Sequence, residues 1–160
     1  MTTGEDSTPE GLGETPRERE IRYMNDLLQE LRVVLPGVQV TFAFLLAVAF
    51  TDRFAEATTL QRSVYFTALF STALATVFFI APTIQHRILW RQGLRTRRLR
   101  IANTLLILGA VLLGIAMSCV VFLVADVVYG RLSAIVAAAA MVSVLVGLWF
   151  LLPLYQRARG

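Results

Sequence analysis

Few side chains in this 160-residue chain could bind or react, and most of them surround one block of positive charge, His86 to Arg100, which reads HRILWRQGLRTRRLR. The block holds six arginines (Arg87, Arg91, Arg95, Arg97, Arg98 and Arg100) and no acid. Guanidinium groups form planar forks suited to phosphate and carboxylate. The binding chemistry offered by Arg91, Arg95, Arg97, Arg98 and Arg100 is therefore contact with anionic lipid headgroups, at about 1 kcal/mol per arginine near a charged surface. The same residues also read as a pure topology signal, since carrying such a block across a bilayer is costly.

A second group of polar residues falls near the same end of the apolar runs: Glu30, Arg32, Gln39, His86, Arg87 and Asn103. Arg32 and Gln39 are seven residues apart and share a helical face with Ala43. If three helix ends converge there, the group forms a water-filled, cytoplasm-facing cleft for a small polar ligand or headgroup. The plainer reading is interhelical hydrogen bonding near water, worth only about 0.6 kcal/mol per bond in membranes. Glu30 and His86 are the one acid–base pair that could serve a lipid-headgroup enzyme.

Other chemistry is hard to assemble. His86 is the single histidine and Cys119 the single cysteine, so no usual zinc set is expected. No internal disulfide can form. Ser71, Ser118 and Ser143 lie deep in apolar runs, away from His86, and no Gly-rich phosphate loop occurs. No cofactor and no catalytic residue are expected, and the net charge of +4 comes without a nucleic-acid motif, so no nucleic-acid partner is expected.

The elements that must position these residues follow from composition. The chain is 56% hydrophobic and 16% charged, against roughly 25% charged in soluble domains. Its apolar residues fall in four runs near 31–50, 63–85, 101–125 and 132–154, each long enough to cross a bilayer as helix. Residues 1–14 are polar and expected to be disordered. From Thr15, a capping box with Glu18 and a stripe of Ile21, Met24, Leu28, Leu31 and Leu35 predict an amphipathic helix over 15–30, lying at the interface. Pro36-Gly37 is expected to bend it into the first span. No secretory signal peptide is expected.

Two small-residue ladders mark the later spans: Ala110, Gly114 and Ser118, then Ala139, Ser143 and Gly147. Such spacing lets helix backbones approach in lipid, and the short turn at 126–131 predicts that the two ladders face each other. With the arginine block inside, twelve arginines lie on the cytoplasmic side and three (Arg53, Arg62, Arg131) outside. The positive-inside rule then places both termini in the cytoplasm of a bacterial cell, with the chain in the plasma membrane.

The segments ELRVVLPGVQVTFAFLLAVAF (30–50) and APTIQHR (81–87) resemble those of an uncharacterised family of small actinobacterial integral membrane proteins with a domain of unknown function. The resemblance implies a four-helix membrane protein and supplies no activity. The expectation is thus an all-α, integral membrane four-helix bundle with an N-terminal amphipathic interfacial helix. Three functions fit it. One is a non-enzymatic association, scaffold or lipid-interacting protein, with membrane lipids, further copies of itself or another membrane protein as partner. The second is a small oligomeric transporter or channel with Gln39, His86 and Asn103 in an inner vestibule. The third is the lipid-headgroup enzyme.

Overall fold

The computed structural model describes residues 16–88 and 95–159. They form α1 (Pro16–Val48), a single turn α2 (Asp52–Ala55), α3 (Thr59–Ile88), α4 (Arg95–Tyr129), α5 (Arg131–Val146), a wide π turn (Gly147–Leu151) and α6 (Leu152–Arg159). No strand occurs among the described residues. The 1–14 tail, the Thr15 end of the capping box, Trp90 and Arg91 lie outside them.

Four stretches are long and apolar enough to cross a membrane: Asn25–Val48, Thr59–Gln85, Arg100–Tyr129 and Arg131–Arg159. Their surfaces agree with that reading, because Phe50 is 88% and Leu132 77% exposed, a state that suits lipid better than water. This is the architecture of a multi-pass membrane protein.

The expected surface helix and first span are one continuous helix of 33 residues, about 50 Å long at 1.5 Å per residue. Pro36 removes one amide from the ladder without ending it, as happens in membrane helices. The interfacial segment is the first part of α1 and not a separate element.

Helix α1 buries Leu31, Val38 and Leu45, with Leu35, Phe42 and Ala49 half-buried between them. That alternation of three and four residues is the spacing of a helix seam. At the arginine-block end, Leu31 and Val38 meet Ala75 and Phe79 of α3, with Leu106, Leu112 and Leu113 of α4 packed alongside. At the α2 end, Leu45, Tyr65 and Ala68 form a second cluster with Phe54, Cys119, Val120 and Leu123. Between them Thr72 is fully buried, its hydroxyl donating to the Ala68 carbonyl at 2.7 Å.

The tightest approach joins α3 to α4. At Gly109 a β-carbon would come within 2.9 Å of Phe79 Cε1, so only glycine lets the ring lie flat on the α4 backbone. The chain then reverses at Gly130, whose φ of +88° favours glycine. Helix α5 packs on α4, and no close packing joins it to α1 or α3 among the described residues. The main packing runs in series, α1 on α3, α3 on α4 and α4 on α5, with a lesser contact of α1 on α4, and the bundle is open along α5.

Candidate functional site

A network of polar side chains that joins different helices lies at the α2 end, opposite the arginine block. Thr58 and Gln61 form a reciprocal capping box at the start of α3. The Thr58 amide donates to Gln61 Oε1 at 2.9 Å, and the Gln61 amide donates to Thr58 Oγ1 at 3.3 Å. With its oxygen used in the cap, Gln61 turns its Nε2 to Asp126 Oδ2 of α4 at 2.8 Å. Arg131, at the start of α5, donates from Nε to Asp126 Oδ1 at 2.8 Å. It also stacks over Phe122 with its guanidinium carbon 5.7 Å from the ring centre.

Asp126 thereby ties three helix ends together, and its side chain is only 5% exposed. The first helix is fastened separately. Tyr65 of α3 donates its hydroxyl to the Leu45 carbonyl of α1 at 2.8 Å, and Phe54 of α2 meets the Tyr65 ring edge-on at 4.6 Å. Arg62 closes the loop by donating to the carbonyls of Ala55 and Ala57.

Beside this clamp lies an open cavity of about 430 Å³, lined by residues that include Arg53, Glu56, Gln61, Tyr65, Leu123 and Asp126. Neither a histidine nor a cysteine lines it. Its one deep carboxylate is already engaged on both oxygens by Gln61 and Arg131. As chemistry, the arrangement holds helices in place.

At the arginine-block end the arrangement differs. Glu30, Arg32, Gln39 and Asn103 are each exposed, and among the described residues no hydrogen bond or ion pair joins them to one another. The buried positions Leu31 and Val38 are the immediate neighbours of Arg32 and Gln39. A step of one residue turns a side chain by about 100°, so Arg32 and Gln39 point away from the core. His86 and Arg87 close α3, and Arg95, Arg97 and Arg98 open α4; their side chains lie outside the described ones. Arg100 is exposed.

The small-residue ladders are divided. Gly114 is buried under Leu145 and Trp149, with a β-carbon there 3.4 Å from Leu145 Cδ1 and 3.6 Å from Trp149 Cζ3. Ala110 and Ser118 are half-buried on the same face. On α5, however, Ala134 is the buried residue, followed by half-buried Ala138, Met141 and Leu145, while Ala139 and Ser143 are exposed. Gly147 has nothing within 4 Å of where a β-carbon would stand. The α4 ladder meets larger side chains, and the α5 ladder faces out of the bundle.

One family model, described as a family of unknown function (DUF6328), matches residues 13–153. The chain belongs to the DUF6328 family. This match covers all four membrane-spanning stretches apart from the last turns of α6. No curated protein and no solved structure matches the chain.

Neither the Thr58–Gln61 box nor the Gln61–Asp126–Arg131 clamp of this DUF6328 member is among the features expected from the sequence. A signal for the first was present: threonine followed three residues later by glutamine, just ahead of an apolar run.

Proposed function

We propose that this DUF6328 member is a non-enzymatic membrane protein that acts by association, as an accessory or scaffold subunit. The observation that carries this reading is the placement of α5. Among the described residues it packs closely on no span but α4, and it turns Ala139 and Ser143 outward on a face that also carries Leu132 and Val136. A small-residue ladder is suited to a second helix at close range, and none within the described residues covers it. The engagement of Asp126 fits the reading too, since the one deep carboxylate beside the cavity is held by Gln61 and Arg131, and the other acid there, Glu56, is exposed.

In this reading the protein sits in the plasma membrane of a bacterium, of actinobacterial source by resemblance. Both termini and the arginine block face the cytoplasm, and Arg91, Arg95, Arg97, Arg98 and Arg100 meet anionic headgroups. Purification from native membranes in mild detergent, under crosslinking from a photoreactive residue at Ser143, tests it. A discrete membrane-protein partner captured at Ser143 is expected, and a control site buried on α5, Ala134, should capture only this chain. Capture of lipid alone at Ser143 would contradict the reading.

A further inference from the structure

Many of the hydroxyls within the spans satisfy themselves. The hydroxyls of Thr41, Thr72, Thr76, Thr104, Ser118 and Ser143 each donate to the carbonyl four residues earlier in their own helix. Gln39 is different. Its amide is too long and too rich in donors to close on its own backbone, and among the described residues it makes no hydrogen bond. It stands seven residues from Arg32, roughly 10 Å along the helix, and nine from the end of α1 at Val48, inside the first membrane-spanning stretch.

An exposed amide at that depth faces hydrocarbon, where an unpaired polar group is costly. Its neighbours on the helix surface are not random. Arg32, Pro36, Gln39, Ala43 and Leu46 alternate by four and three residues, and every one of them is exposed. This is a second seam on α1, beside the one already used against α3, and it has the spacing of a helix pair. Pro36 and Ala43 flank Gln39 one turn away on either side, so no bulky side chain keeps a partner backbone from approaching there.

We infer that two copies of this chain pair along that seam, with the two Gln39 amides exchanging hydrogen bonds across a twofold axis normal to the membrane. The carboxamide carries both a donor and an acceptor, so it is its own complement. Two copies inserted with the same topology present α1 parallel and Gln39 at the same depth, which fixes the register as a buried polar residue does in a coiled coil. Arg32 ends the seam at the membrane boundary, where water separates the two guanidinium groups. An isologous contact of this kind closes at two copies. The inference deepens the association reading and uses α1, leaving the α5 face free.

The test is the monomer–dimer equilibrium of the purified full chain in phosphatidylcholine vesicles, followed by single-molecule photobleaching over a range of protein-to-lipid ratios. The wild-type chain is expected to dimerise. Gln39→Leu, which eases insertion and leaves the α3 contact untouched, should weaken dimerisation by about fivefold or more, the size of a pair of interhelical hydrogen bonds in lipid. Gln39→Asn should retain most of it. In a Cys119→Ser background, oxidation should crosslink Gln39→Cys and leave Phe44→Cys, on another face of α1, uncrosslinked. A wild-type chain that is monomeric at every ratio would overturn the inference, as would equal dimerisation of Gln39→Leu or equal crosslinking at both positions. None of these outcomes bears on capture at Ser143, so failure here is distinguishable from failure of the association reading.

Discussion

Gly109→Leu is expected to destabilise the purified protein strongly. Even the first carbon of a side chain there would stand 2.9, 3.0 and 3.2 Å from three atoms of the Phe79 ring. Phe79 is only 5% exposed and is held by Leu31, Val38 and Ala75, so the ring has no free space to enter. Overpacking of this kind costs about 1–3 kcal/mol. Gly109→Ala should cost less, because alanine regains about 1 kcal/mol of helix propensity over glycine. Pairing Gly109→Ala with Phe79→Leu should recover stability that neither single change retains, since residues in contact couple. Equilibrium unfolding in detergent micelles measures all four proteins. Strictly additive effects would show that the α3–α4 approach is looser than described.

The second large effect is expected at Tyr65, the residue that fastens α1 and α2 to α3. Tyr65→Phe removes one buried hydrogen bond, to the Leu45 carbonyl, at about 1 kcal/mol. Tyr65→Ala also empties the site against which Phe54, Leu45 and Ala68 pack, and should cost about 3 kcal/mol, at the low end for loss of a buried aromatic. The low end applies because lipid, unlike water, receives apolar surface without penalty, leaving lost packing as the main cost. The same unfolding measurement separates the two. Equal effects of the two substitutions would mean that the hydroxyl, and not the ring, holds the α2 end together.

These two positions show what was legible in the sequence and what was not. The four crossings were, because length and apolarity alone set them: the run read as 63–85 is Thr59–Gln85 in the structure, and 101–125 is Arg100–Tyr129. Which face of each helix turns inward was not. Helices that are apolar on every side carry no stripe to read. So the ladder at Ala139 and Ser143 was expected against α4, whereas Ala134, Ala138 and Leu145 occupy that place. Gly109, one residue from the ladder position Ala110, went unremarked for the same reason.

Pro36-Gly37 was expected to bend a surface helix into the first span; the two form one continuous helix through Pro36, since a single missing amide does not break a helix in a membrane. The polar residues needed the fold in a different way. Glu30, Arg32, Gln39 and Asn103 looked convergent along the chain, yet each sits one step off a buried position or at an exposed turn. Asp126 and Gln61 are 65 residues apart in sequence, and their pairing depends on how α3 and α4 dock. In Gln39 the sequence-level observation, a shared face with Arg32 and Ala43, was sound; only the direction of that face needed the fold.

Four crossings would place the arginine block and both chain ends on one side and the α2 and Gly130 connections on the other. Single cysteines in a Cys119→Ser background, probed on intact cells with a membrane-impermeant maleimide, test this directly. Cysteine at Glu56 or Gly130 should be labelled from outside, and cysteine at Thr96 or Arg159 only after the membrane is opened. Labelling of Thr96→Cys or Arg159→Cys on intact cells, or protection of both Glu56→Cys and Gly130→Cys, would contradict it.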